Sequence, residues 1–175
     1  MSSQSQSIKL ESYIRKLVPK GKRIASEAVN VIEKYLNETY DRLFMESRGM
    51  ASYQHKRTIA SKEIQMSLGA ICLTKASRTK ILNKTLSAIT KYYDGKDRRR
   101  GVRAGLYFPV TRIGTAMRKN EDYRVSEGAD VYMAAVLEGL AVHVFDYVSR
   151  KYSSKSMITV EMVKEGIGCS IQQPI

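Results

Sequence analysis

The sequence is poor in the residues from which catalytic and metal sites are built. Two histidines, His55 and His143, lie far apart, and no nucleophile or carboxylate constellation surrounds either. Two cysteines, Cys72 and Cys169, fit no metal-ligand spacing and no disulfide framework; a reduced compartment and a small buried apolar role are the expectation for each. No glycine-rich phosphate loop follows a strand pattern. Catalysis, metal, cofactor and small-molecule substrate are therefore not expected. Long hydrophobic runs are missing too: the longest unbroken one, Val131 to Leu137, is far short of a membrane span. The opening residues, MSSQSQS, have neither the charge nor the apolar core of a signal peptide.

Acid is scarce over the first half. Residues 1–92 hold 17 Lys and Arg against 7 Asp and Glu, residues 93–105 hold 5 against 2, and residues 106–175 hold 8 against 8. The net charge of +13 thus belongs to the first half and to the segment after it, and an excess of this kind points to nucleic acid or an anionic membrane surface. With 43% hydrophobic and 27% charged residues, the 175-residue chain is globular: one domain, or two very small ones that must share a core.

The chain reads as one plan used twice. After a short polar tail (1–9), Leu10, Tyr13, Ile14 and Leu17 follow helical spacing until Pro19 stops them. The loop PKGKR gathers Lys20, Lys22 and Arg23 around Gly21, as a solvated turn or as a phosphate contact. From Ser26, read as an N-cap, a long amphipathic helix runs to about Gln54, with Ala28, Ile32, Leu36 and Leu43 on one side. The loop HKRTIAS follows, with Lys56 and Arg57 before the β-branched pair Thr58 and Ile59, and Ser61 opens a short helix to about Leu73 carrying Ile64, Leu68 and Ile71. A further helical pattern spans Lys75 to Tyr92. Beyond the basic joint DGKDRRRGVRAG, a proline marks a helix start, a short helix carries Val110, Ile113 and Met117, and a loop with Arg124 leads into a second long helix from Asp130 to about Ser153. That helix is apolar over most of its circumference, with Glu138, His143 and Asp146 as its polar points. The loop KSMIT and a helix from Val160 to Ile167 finish the unit. Each long helix has too much apolar surface to stand alone, so the two are expected to cross head to tail, each supplying the other's core. That arrangement pairs the first loop of one unit with the second loop of the other.

The residues then carry a resemblance. SYQHKRTIASKEIQ (52–65) and SAITKYY (87–93) resemble core histone 2B; GVRAGLYFPVTR (101–112) and ADVYMAAVLEGLAVHVFD (129–146) resemble core histone 2A. The order, 2B then 2A in one chain, is similar to the histone doublets of double-stranded DNA viruses of the marseillevirus group, in a short form. The resemblance implies an all-α fold: a 2B-like histone fold with C-terminal helix over 10–92, a basic linker over 93–105, a 2A-like histone fold over 106–167 and a short tail over 168–175.

It also implies double-stranded DNA as ligand, bound through loop pairs and helix N-termini with little sequence preference; the histone octamer is the standard example of backbone-plus-deformability binding. Matched by position, the implied contacts are Lys20, Lys22, Arg23, Ile24 and Ser26 in the first loop, Lys56, Arg57, Thr58 and Ser61 in the second, Arg103, Arg112, Arg124 and Lys155 in the 2A-like half, and Arg98, Arg99 and Arg100 along the joint. The implied protein partner is a histone 4–histone 3 tetramer or fused doublet, met through Tyr53, Leu68 and Ile71; packing inside their own unit is the alternative for the last two. Localisation follows the DNA: the virion, the infected-cell nucleus or a viral factory. Departures are equally informative. Of the family's acidic patch Glu138 and Asp146 remain, but His143 stands at another of its positions and Lys75 to Lys84 contains no acid. Only eight residues follow Ile167, and Met157 replaces a basic residue in the last loop. A histone-fold regulatory protein, or one that coats DNA without a partner, is the alternative function.

Overall fold

The computed structural model describes residues 7–69, 71, 74–119 and 122–170. Eight helices are described: α1 (Glu11–Lys16), α2 (Ser26–Tyr53), α3 (Ser61–Ser67), α4 (Lys75–Asp94), α5 (Arg100–Ala104), α6 (Val110–Arg118), α7 (Ala129–Lys151) and α8 (Val160–Ser170). Four two-residue strands complete it: β1 (Arg23–Ile24), β2 (Thr58–Ile59), β3 (Arg124–Val125) and β4 (Met157–Ile158). At 1.5 Å per residue α2 is roughly 42 Å long and α7 roughly 35 Å.

The strand pairing fixes how the long helices run. β1, just before α2, pairs in parallel with β4, just after α7, with Arg23 opposite Met157 and Ile24 opposite Ile158. β2, just after α2, pairs in parallel with β3, just before α7, with Thr58 opposite Arg124 and Ile59 opposite Val125. The start of α2 therefore sits at the end of α7 and the end of α2 at the start of α7, which is the expected head-to-tail arrangement. The inward members of each bridge, Ile59 and Ile158, are buried, and their partners in sequence, Thr58 and Met157, face outward.

α7 is the centre. Sixteen of its residues are buried, from Ala129 to Val148. By length and composition this helix could cross a membrane, but it lies inside the bundle. α4 packs along it with Ile81 against Gly139, where an added Cβ would meet the Ile81 side chain at an ordinary contact distance of 3.5 Å. α2 closes the core with Ala28, Val29, Ile32, Leu36 and Leu43. α3 is tied to α2 by a buried polar contact, Ser47 Oγ to Ser67 Oγ at 3.1 Å.

Several expectations are corrected. Ser26 is the first helical residue rather than the cap; Ala25 holds the N-cap position without a side-chain bond. α3 ends at Ser67, earlier than the apolar spacing suggests, and Leu73 and Cys72 lie outside the described residues. Cys169 is exposed rather than buried. Residues 7–9 are no tail: Ile8 and Leu10 are buried in the core. The basic joint contains a helix of its own, α5, which ends at Gly105 in the left-handed conformation that glycine takes at least cost.

Candidate nucleic-acid interface

Each bridge brings two basic loops together at one end of the molecule. At the first end, the β1 loop supplies Lys20, Lys22 and Arg23 and the β4 loop supplies Lys155; Lys20, Arg23 and Lys155 are exposed. Lys22 has a different use. Its ammonium donates to the carbonyls of Tyr152 at 2.9 Å, Ser153 at 3.3 Å and Lys155 at 2.6 Å, so it closes the C-terminal end of α7, where carbonyls lack helical partners. Lys22 shapes this end rather than projecting from it. Ser26 Oγ accepts from Arg15 at 3.2 Å at the start of α2.

At the second end, the β2 loop supplies Lys56, Arg57 and Thr58, α3 begins at Ser61, and the β3 loop supplies Arg124. Arg57 and Arg124 are exposed, and the Arg57 carbonyl, just before β2, accepts from the Arg124 amide of β3 at 2.8 Å, which brings the two residues together. Lys56 is half committed: its ammonium stands 3.2 Å from the buried Glu63 carboxylate, which also accepts from the Ala60 amide at 2.9 Å. Burial works to raise the Glu63 carboxyl, and the Ala60 amide and Lys56 ammonium outweigh it, so the group is held below the usual range.

The joint divides its arginines. Arg98 and Arg99 are exposed, and Arg99 is steadied by Asp97, whose carboxylate accepts from the Arg99 amide at 2.7 Å. Arg100 turns inward. Its guanidinium grips the fully buried Asp130 with both terminal nitrogens, Nη2 at 2.6 Å, and Arg118 completes the clamp at 3.0 Å. Arg103 lies over the Tyr92 ring at 4.0 Å. Two of the residues implied as DNA contacts, Arg100 and Arg103, thus hold the joint to α7 and α4. A lone carboxylate opening an apolar helix, with arginines upstream, is the sequence signal for this clamp.

Arg112, on the exposed side of α6, donates to the Lys9 carbonyl at 3.0 Å and lies 5.9 Å from the Tyr13 ring centroid. Of the implied partner-binding residues, Tyr53 is 86% exposed, whereas Leu68 and Ile71 are buried in the chain's own core.

The implied acidic patch is corrected most. Glu138 is buried and serves the fold: it accepts from the amides of Tyr107 at 2.7 Å and Phe108 at 2.9 Å, and Lys84 of α4 stands 3.0 Å away. Asp146 remains exposed. His143, one of the polar points of α7, is half-buried against α4, with Nε2 2.9 Å from Ser77 Oγ; burial first, then Lys80, pushes its pKa down. Lys80, Arg150 and the exposed Asp146 thus surround His143, and Lys84 is paired with Glu138. Among the described residues no His, Cys, Asp and Glu cluster could hold a metal.

A pair of short-long-short units crossed at two parallel bridges is the histone fold. Residues 2–69 match the family described as the core histone domain, which covers histones 2A, 2B, 3 and 4. Similar curated proteins include histone 2A.1 of Pisum sativum and probable histone 2A.3 of Medicago truncatula, each 54% identical over 48 residues, 27% of this chain and 32% of theirs. The chain spans about a third of the length of these relatives. Among solved structures, the crystal structure of the histone from Methanopyrus kandleri aligns over 93% of both chains with a TM-score of 0.57 at 13% identity, a likeness of fold. The molecule is a histone-fold protein. Its sequence carries both a match to the core histone domain and a likeness to histone 2A.

Proposed function

We propose that this chain is a DNA-packaging histone doublet, 2B-like then 2A-like, that binds the backbone of double-stranded DNA and joins a histone 4–histone 3 type tetramer or fused doublet in a nucleosome-like particle. The observation that carries the reading is the pairing of basic loops at both bridges, with the exposed Arg23 and Lys155 at one end and the exposed Arg57 and Arg124 at the other. Thr58 and Ser61 are placed beside Arg57 to add hydrogen bonds, and Lys20 and Ser26 stand beside Arg23. Arg98, Arg99 and Arg112 extend the path between the ends. Lys22, Lys56, Arg100 and Arg103 act one step back, by holding the loops and the joint that present the others. No side chain in this set is arranged to read base edges, so binding is to backbone and groove shape. With about six phosphates neutralised, affinity falls about a thousandfold between 50 and 200 mM salt.

Tyr53, at the end of α2, is the exposed residue through which the tetramer is met. In the viral reading, the protein resides on DNA in the virion and in the infected cell's nucleus or viral factory. The test is nuclease protection of DNA with this protein, with and without histones 3 and 4. A discrete protected fragment that requires the partner supports the particle. Equal, graded protection in both samples refutes it in favour of a protein that coats or regulates DNA alone.

A further inference from the structure

The segment before α1 is held by α2 in a way that packing alone does not require. Ile8 and Leu10 are buried, and two apolar anchors suffice to keep the segment down. Yet the Asn37 carboxamide also takes both backbone groups of Ile8: Oδ1 accepts its N–H at 2.6 Å and Nδ2 donates to its carbonyl at 3.1 Å. One turn earlier on α2, Glu33 accepts from the amides of Leu10 and Glu11, closing the start of α1.

A trans peptide sets the C=O of one residue antiparallel to the N–H of the next, and the Leu10 N–H is held by Glu33 on the α2 side. With Ile8 gripped by Asn37 one peptide earlier, the Lys9 carbonyl is therefore turned away from α2, toward α6. There it accepts from Arg112 Nη1 at 3.0 Å. A cleft of about 360 Å³ separates the segment from α6, lined by Ser7, Lys9, Thr115 and Ala116 among others, so the Lys9–Arg112 bond spans a gap rather than a packed seam. Tyr13, on the helix that this segment leads into, supplies the second restraint, with the guanidinium near its ring.

We propose that Asn37 is a positioning residue for Arg112: it sets the register of residues 7–10 so that Lys9 and Tyr13 of the first unit hold the DNA-facing arginine of the second. The physical gain is pre-organisation. A free arginine gives up rotamer freedom when it is fixed, whereas one already held by a carbonyl and a ring gives up less when phosphate arrives. One N–H is spent on Lys9 and the rest of the fork stays available. The inference rests on Arg112 facing DNA, as in the function proposed above.

The experiment is a double-mutant cycle on the full chain, Asn37→Ala, Arg112→Ala and both together, read as affinity for a DNA duplex at several salt concentrations. In parallel, 15N relaxation of the Arg112 Nε–H group is measured in the free protein. Arg112→Ala is expected to weaken binding about tenfold and to lower the salt slope by about 0.9, one phosphate's share. Asn37→Ala, which touches no DNA, is expected to weaken it about threefold to fivefold in the wild-type background. In the Arg112→Ala background it should have no effect, and in the free protein it should mobilise the Arg112 side chain. A purely structural role for Asn37 lowers the melting temperature but leaves the two losses multiplicative, and that result overturns the proposal. So does wild-type DNA affinity or an unchanged Arg112 relaxation rate in Asn37→Ala. Should that variant not fold, Asn37→Asp, which keeps an acceptor for the Ile8 N–H but loses the donor to its carbonyl, carries the same expectations. A wild-type protein that binds no DNA refutes the proposed function instead, and the relaxation arm then decides the positioning role by itself.

Discussion

Two neighbouring arginines in the joint should behave as opposites. Arg99 is exposed and Arg100 is folded onto Asp130, although both belong to one run of three. Asp130 is fully buried, and its carboxylate accepts from two guanidinium groups and from the Val131 amide at 2.9 Å. Removing one partner of a buried ion pair costs about 3–5 kcal/mol. Arg100 and Arg118 keep 26% and 45% of their side-chain surface in water, so water recovers part of the loss and the low end, about 3 kcal/mol, applies to Asp130→Ala. For a domain of this size that is a melting temperature lower by about 6–12 °C. Arg100→Ala leaves Arg118 on the carboxylate and should cost about 2 kcal/mol, or about 4–8 °C. Arg99→Ala should stay within about 0.5 kcal/mol of wild type. Binding should sort the other way: Arg99→Ala lowers the salt slope by about 0.9, whereas Asp130→Ala, which adds net positive charge, keeps or raises DNA affinity while it is folded. Calorimetric melting and duplex titration at three salt concentrations read both quantities. If Asp130→Ala melts with the wild type, or Arg100→Ala loses the salt slope without a melting shift, the division of the joint into an inward and an outward arginine is wrong.

Glu138→Ala orphans the buried amide of Phe108 and the part-buried amide of Tyr107 and should cost about 3 kcal/mol, seen as a lower urea midpoint, with Glu138→Gln costing about half as much because one acceptor survives. Gly128→Ala combines a φ of +84° with a Cβ placed 2.6 Å from the Tyr93 hydroxyl; a loss of about 2 kcal/mol is expected, and Tyr93→Phe should restore part of it in the double variant. His143 has its folded pKa pushed down by burial and by Lys80, against the opposing pull of Asp146, so the unfolded chain binds the proton more readily. Stability from this group is full above about 6.5 and declines as pH falls through the lowered folded value; His143→Gln should flatten the profile in that window. Glu165, held at about 2 by Lys151, Tyr152 and Tyr147, gives stability that is full above about 4.5 and is lost as pH falls toward 2, a slope that Glu165→Gln should remove in acid melting curves.

The helical plan was readable because it depends on spacing. Ile32, Leu36 and Leu43 recur on one face of α2, Val131 to Leu137 makes α7 apolar all round, and two helices with such surfaces have few ways to hide them. The meeting of the loops was readable for a related reason: the loop with Thr58 and Ile59 and the loop with Arg124 must come together once the long helices cross, whereas their pairing as parallel strands was not expected. Boundaries were less so. α3 stops at Ser67 although Leu68 and Ile71 continue its apolar spacing, because both residues are buried in the core without needing the helix to continue. The turn of Ile8 into the core had no periodic signature at all; a single non-helical segment needs only two apolar residues and a polar side chain opposite its backbone.

Side-chain employment is what one-dimensional pattern hides, and charge shows it best. Lys22 and Arg23 are adjacent in a basic loop, yet one closes the carbonyl end of α7 and the other faces water. Glu138 and Asp146 lie about two helical turns apart on α7, yet α4 and the Tyr107 segment cover the first and leave the second exposed. Lys84 and Lys151 likewise spend their charge on carboxylates within the chain, at Glu138 and Glu165. A surplus of +13 therefore measures the field that draws in a polyanion, but not the number of phosphates the surface can hold. The count of contacts depends on which cations the fold has already claimed, and that is settled by the three-dimensional neighbours of each group. The salt slope reads the contacts and the net charge reads the field, so the two should respond differently to the same substitution. Lys84→Ala and Arg57→Ala each remove one positive charge, but Arg57→Ala alone should lower the slope by about one phosphate's share, and equal slopes for the two variants would contradict this assignment of their charges.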